Sequence, residues 1–199
     1  MMSYPIMEHF YTVQGEGVHS GTAAYFVRLG GCDIGCIWCD VKDSWDASKH
    51  PHMLVSEIVE NIAKTSATNV VITGGEPAMY DLNPLCDELH KAGYIVHIET
   101  SGAYPINGQI DWVCVSPKKF KAALPSEIAK AHELKVVVYN KHDIEWAQTF
   151  ESQISEDCIK LLQPEWDVRK KSETLIIDFI KNNPEWAISI QTHKYLDIP

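Results

Sequence analysis

Positive charge is scarce in this 199-residue sequence: 17 Lys and Arg stand against 27 Asp and Glu, a formal net charge of −10. Gripping nucleic-acid phosphates needs clustered Lys and Arg to displace counterions, so no direct nucleic-acid partner is expected. No apolar run approaches the roughly 18 residues of a membrane span, and the start, Met1 to Phe10, lacks a basic region followed by an apolar signal core. A cytoplasmic protein without membrane contact is the expectation. Internal repeats, low-complexity segments and linkers are missing too. With 45% hydrophobic residues the chain is long enough for one sizeable core and short for two, so a single domain over 1–199 is expected. Cysteine is thin, six in all. Cys86, Cys114 and Cys158 sit singly inside apolar patterns and read as small buried hydrophobes.

The remaining cysteines stand together in Cys32-Asp33-Ile34-Gly35-Cys36-Ile37-Trp38-Cys39, a C-x3-C-x2-C spacing directly after the strand-like run Ala23 to Leu29. Three thiolates can hold three irons of a 4Fe-4S cluster, leaving the fourth iron open to an outside ligand. Structural zinc usually takes four Cys or His ligands, and His50 or His52 would have to supply the fourth. A disulfide fits poorly, because an odd trio leaves a thiol over. Spacing alone favours the cluster and keeps zinc open.

Along the chain, Ile6 to Thr12 reads as a strand entering the polar loop Gln14 to Gly21, which is either a plain hairpin turn or a place where backbone meets a ligand. Arg28, inside an apolar strand, needs an anionic partner, either a structural carboxylate or a ligand's. Leu54 to Lys64 has helical spacing, Asn69 to Thr73 is a β-branched strand ending in Gly74-Gly75-Glu76-Pro77, and Asn83 as N-cap with Pro84 at the first helical position starts a helix stopped at Gly93. Strands follow at Tyr94 to Glu99, Asp111 to Ser116, Glu133 to Tyr139, Cys158 to Leu162 and about Trp186 to Ile190. Helices are expected near Pro125, over Asp143 to Phe150 and over Val168 to Lys181. Strands separated this way predict a parallel sheet with right-handed crossovers, and ligands beyond its carboxyl ends. That rule gathers the cysteine loop, Gly74 to Pro77, Thr100 to Gly102, Ser116 to Lys118, Gln163-Pro164 and Gln191 to His193 on one rim.

The cysteine spacing, with Trp38 just before the last cysteine, resembles the radical S-adenosylmethionine (SAM) enzymes. The resemblance implies an incomplete parallel (β/α) barrel with reduced helices. It also implies a 4Fe-4S cluster on Cys32, Cys36 and Cys39, with SAM chelating the open iron. Trp38, Gly74, Gly75, Glu76, Ser101, Ser116, Lys118 and Gln163 would then contact SAM. For Ser101, Ser116 and Gln163 the alternative is ordinary strand-end capping.

Gln14 to Gly17, Arg28, Cys39-Asp40, Glu99 to Gly102, Ser116 to Lys118 and the ending His193 to Pro199 together look like the 7-carboxy-7-deazaguanine synthase family of queuosine-precursor biosynthesis. This resemblance implies a radical ring contraction of 6-carboxy-5,6,7,8-tetrahydropterin, a lyase reaction that releases ammonia and regenerates SAM. Gln14, Gly15, Glu16, Gly17, Arg28, Thr73, His193 and Pro199 would bind the pterin, with a substrate loop near 13–21 and a functional tail at 191–199. A homodimer is implied by the family as well, and so is a flavodoxin- or ferredoxin-type electron donor, for which Trp45 offers a docking point if exposed. No side chain is assigned as a catalytic acid or base.

One departure stands out. Val41 replaces the family's Thr beside a substrate-bound Mg2+, and Val cannot ligate a hard cation. Asp40, Asp43 or Ser44 would have to serve, or the enzyme needs no Mg2+, so Mg2+ dependence is placed in doubt. The rivals are a glycyl-radical activating enzyme, which must admit a protein loop, and a zinc-bound module without turnover.

Overall fold

The computed structural model describes residues 2–199, so Met1 lies outside it. Strands β1 (Ser3–Val13) and β2 (Ala23–Leu29) pair antiparallel, and a short β3 (His52–Leu54) adds antiparallel to the far side of β1. From β2 the sheet runs parallel through β4 (Asn69–Gly74), β5 (Ile95–Thr100), β6 (Trp112–Val115), β7 (Glu133–Val138), β8 (Ile159–Pro164) and β9 (Trp186–Ile188). The spatial order β3-β1-β2-β4-β5-β6-β7-β8-β9 leaves two edges unjoined, the incomplete α/β barrel.

Period-two alternation decides which face is which. Val27, Leu29, Ile72, Ile98, Leu134 and Val136 are fully buried in the main core, each such burial worth about 1.5–3 kcal/mol. Their neighbours in sequence, Arg28, Thr73, Glu99 and Lys135, therefore point to the opposite, inner face.

Helices α1 (Val55–Ile62), α2 (Asn83–Lys91), α3 (Pro125–Ile128), α4 (Lys141–Gln148) and α5 (Arg169–Ile180) cover the core face. α1 buries Val55, Ile58 and Ile62, and α2 buries Leu85, Cys86 and Leu89, as their helical spacing requires.

The structure departs from the sequence reading in three places. The sheet is mixed, because β1 forms a hairpin with β2 and gains β3, too short to stand out. Asn83 is the first helical residue and not the cap, and the Asp81 carboxylate two residues earlier accepts from Asn83 N at 3.1 Å. The tail folds into α6 (Thr192–Leu196). Thr192 N donates to Gly15 O at 2.8 Å and Gly17 N to Ser189 Oγ at 2.9 Å, so side chain and tail bridge the gap that no strand closes.

Candidate active site

The cysteine loop leaves the end of β2 and is fastened by backbone. Gly31 N donates to Ser44 O at 2.6 Å and Cys32 N to Trp45 O at 3.1 Å, while Gly75 N and Glu76 N donate to Leu29 O and Gly31 O, both at 2.9 Å. A Cβ on Gly74, whose φ is +135°, would lie 2.1 Å from Leu29 O, and one on Gly75 would lie 2.2 Å from Gly31 O. Only glycine lets the two loops approach this closely. At the loop's tip Asp33 Oδ2 accepts from Lys121 Nζ at 2.7 Å and from the Tyr104 hydroxyl.

All six cysteines are unpaired. Burial pushes the Cys36 thiol up to about 11 and raises Cys32 as well, so both stay neutral until a metal replaces their protons. Among the described residues no three His, Cys, Asp or Glu side chains converge to hold a single ion. A cluster does not ask for that, because each cysteine binds a different iron. His50 Nε2 bonds Asp43 O at 2.8 Å and His52 Nδ1 bonds Ser3 Oγ at 3.1 Å, and among the described residues neither ring is grouped with the thiols as a fourth zinc ligand.

A cavity of about 230 Å3 opens on the three thiols. Trp38, Gly74, Gly75, Glu76, Ser101, Ser116, Lys118 and Gln163 all line it. Glu76, 1% exposed, accepts from Ala78 N at 3.0 Å and Thr100 Oγ1 at 2.5 Å on one oxygen, and from Ser101 N at 2.8 Å and the Ser101 hydroxyl on the other. With four donors on it, Glu76 first of all ties the β4 and β5 loops together. Lys118 Nζ donates to Ser116 Oγ at 2.6 Å and lies 5.8 Å from the Trp38 ring. Gln163 Oε1 accepts from Ser189 Oγ at 2.8 Å.

A second cavity of about 180 Å3 is lined by Gln14, Gly15, Glu16, Arg28, Thr73, His193 and Pro199, residues that lie far apart in the chain. Glu16, Asp40, Val41, Glu99 and Gln191 line both cavities and form their common wall. Arg28 answers both halves of its alternative: Nε donates to Glu8 Oε1 at 2.6 Å, and the side chain also lines this chamber. Burial lowers the pKa of His193, so its ring is neutral near pH 7. Burial disfavours the charge of Glu16, but Lys135 overrides it and holds the carboxyl at about 2.

Four sequence expectations need correction. Gly17 lines neither chamber; with φ +69° it turns the loop where a Cβ would lie 2.2 Å from Glu133 Oε1. Asp40 is already engaged by Lys194 Nζ and, at 3.2 Å, by Gln191 Nε2, while the Ser44 hydroxyl donates to Val41 O at 2.6 Å, so the two do not present a ready Mg2+ pair. Trp45 lines the first chamber and is not an exposed docking point. Cys114 is buried, yet on the inner face beside Glu99 and Glu133 and not in the apolar core. Sequence reasoning also passed over Glu99 and Lys135 as site residues. The available signal was a charged side chain alternating with core residues inside a buried strand.

Residues 26–114 match the profile of the radical SAM superfamily. Taken with the thiol-lined chamber at the carboxyl ends of the strands, this defines a radical SAM enzyme, with the 4Fe-4S cluster and SAM that the superfamily carries. The 7-carboxy-7-deazaguanine synthase of Flavobacterium psychrophilum is 51% identical over 195 residues, spanning 98% of this chain and 92% of that protein. That of Escherichia coli K12 is 35% identical over 224 residues, spanning 99% and 100%. A crystal structure of QueE from Escherichia coli superimposes with a TM-score of 0.88 at 33% identity, covering 96% of this chain and 95% of that one. The chain belongs to the 7-carboxy-7-deazaguanine synthase family.

Proposed function

We propose that this enzyme contracts 6-carboxy-5,6,7,8-tetrahydropterin to 7-carboxy-7-deazaguanine with loss of ammonia, a step in queuosine-precursor biosynthesis. The observation that carries the reading is the wall shared by two chambers, one lined by the three thiols and the glycine motif, the other by Arg28 and the tail. When bound, cluster and SAM supply a hydrogen-abstracting radical. The protein's own residues then have three tasks.

Cys32, Cys36 and Cys39 hold the cluster, while Ser101, Ser116, Lys118 and Gln163 orient SAM. Arg28 takes the pterin carboxylate with the guanidinium edge that Glu8 leaves free. Gln14, Glu16, Thr73 and neutral His193 meet the ring's polar edge, and the Pro199 end closes the chamber against water. The tail packs on the 14–20 loop, with Thr192 N on Gly15 O at 2.8 Å, beside a chamber of about 180 Å3, a size that speaks for a small substrate over the protein loop of a glycyl-radical activating enzyme.

Turnover is proposed to be independent of Mg2+, since Lys194 and Gln191 both donate to Asp40 Oδ2 and Val41 offers no oxygen. The electron donor is proposed to be flavodoxin- or ferredoxin-like and to approach the outer side of the cysteine loop, where Ile37 is 74% exposed. A homodimer is proposed on family grounds, and one domain on the continuity of the sheet. A cytoplasmic setting suits six unpaired cysteines, and no helix among the described residues is long and apolar enough to cross a membrane.

The test is anaerobic. The reconstituted enzyme receives SAM, reductant and 6-carboxytetrahydropterin after chelation, with and without added Mg2+. Product without net consumption of SAM is expected in both samples; an untouched pterin beside cleaved SAM overturns the substrate, and product only with Mg2+ overturns the metal independence.

A further inference from the structure

Lys135, 2% exposed, lies on the inner face in the middle of β7, and no role derived above uses it. Its Nζ donates to Glu16 Oε2 at 2.8 Å and to Glu99 Oε2 at 2.7 Å. The glutamates come from distant parts of the chain, the β1–β2 loop and β5, and both stand in the wall common to the two chambers. Their other oxygens are also held: Gln191 Nε2 donates to Glu16 Oε1 at 2.7 Å and Gln14 Nε2 to Glu99 Oε1 at 3.2 Å. Without a cation between them, two half-buried carboxyl groups on one lysine nitrogen, with side chains 19% and 22% exposed, repel each other, and one takes up a proton more readily than a free carboxylate does. A carboxylate accepts hydrogen bonds, whereas a protonated carboxyl also donates.

We propose that Lys135 is the positioning residue that keeps Glu16 and Glu99 a matched pair of acceptors, and that this pair selects a substrate edge made of N–H donors. Resting on the pterin reading above, the edge is the aminopyrimidinone side of the ring, at the end away from the carboxylate that Arg28 takes. Specificity then comes from both ends of the molecule. An analogue with a carbonyl in place of the amino group leaves a half-buried carboxylate facing an acceptor and is rejected.

The competing use of a buried lysine is as donor of the proton that departing ammonia needs. Burial works against the charge of Lys135, but the acidic groups around it, Glu16, Glu99 and Glu133 among them, outweigh burial and hold its pKa well above the ordinary value. A lysine held that way is a poor acid. The other titratable groups facing the trio are Cys114 of β6, Lys118 from the loop after β6, and His193 of the tail.

The test is equilibrium binding of 6-carboxytetrahydropterin to the reconstituted holoenzyme with SAM present and the cluster left oxidised, so that nothing turns over. The native enzyme is expected to bind with less than about threefold change in affinity between about pH 6.5 and about pH 9. K135M should lose about thirtyfold at the lower pH and regain about tenfold of it at the higher, as the stranded proton leaves the glutamate pair. K135M/E99Q, with no surplus charge left, should be pH-independent and about tenfold weaker than native. Should K135M not fold, the double variant carries the test.

K135M weakened equally at every pH overturns the proposal in favour of a purely structural lysine, and so does either variant binding like the native enzyme. A native enzyme that does not bind the pterin at all identifies the failure of the substrate reading itself, seen before any variant is made, and this inference falls with it.

Discussion

The two chambers share a wall and are built on different principles. The first is a backbone construction: loops at strand ends are stitched to one another by N–H to carbonyl bonds, and glycines make the stitching possible. The second is a side-chain construction, with a hairpin loop, the inner faces of β2, β4 and β5 and a tail from the far end of the chain held together by Lys135, Lys194, Gln191 and the carboxylates they meet. Backbone bonds vary little with pH and side-chain identity, whereas ion pairs and a docked tail answer to both. The arrangement leaves the common chemistry in the rigid half and substrate choice in the adjustable half.

The hardest way to break the comparison is at the thiols. Cys36→Ala should abolish cluster absorbance and reduce turnover by more than about a thousandfold, while the pterin still binds within about threefold of the native affinity. If pterin affinity collapses along with the cluster, the chambers are not separately built.

A milder break addresses the tail. Extending the chain with a short Gly-Ser segment after Pro199 should raise KM for the pterin about tenfold by disturbing the second chamber's closure, leaving SAM affinity as it was. Unchanged KM would show that the Pro199 end does no closing.

The effect furthest from the chemistry is a matter of acid. His97 is 8% exposed behind the second chamber. Burial first, then neighbouring His19, lowers its pKa from 6.5 to about 4. Below 6.5 the unfolded chain takes a proton that the folded one refuses, so stability present above that pH is lost as the pH falls toward about 4. The loss should be about 3 kcal/mol, read from denaturant midpoints, and H97F should flatten that part of the curve. An identical slope in H97F would assign the acid sensitivity elsewhere.

Legibility in the sequence follows the same division. The first chamber is written in contiguous motifs, Cys32 to Cys39 and Gly74 to Pro77, because backbone geometry is set by neighbours in the chain. Its strands and helices were readable from apolar spacing to within a residue or two. The second chamber was readable only in part. Arg28 stood out as a guanidinium in an apolar strand, Gln14, Glu16 and His193 came through resemblance, and Glu99, Lys135 and Lys194 are site residues only once strands far apart in sequence have curved toward each other. Gly17 was misread because a glycine-rich loop gives no sign of which glycine faces the ligand and which turns the chain past Glu133. Asp40 and Ser44 looked like free oxygen donors, because a sequence does not say that Lys194 arrives at one or that the other bends back onto its own turn.

The ties on the cysteine loop have a bearing on how the enzyme meets iron. Asp33 is gripped by Lys121 and Tyr104, Gly31 and Cys32 by the backbone of Ser44 and Trp45, and Glu76 N by Gly31 O. None of these bonds involves a thiol. A small zinc module gains its fold from the metal, because the chain has no order before the ion arrives. Here the ties that shape the socket are hydrogen bonds separate from the cluster ligands, so the position of the thiols is set by residues that never touch iron, and a substitution at Lys121 or Tyr104 would loosen the loop with all three cysteines in place.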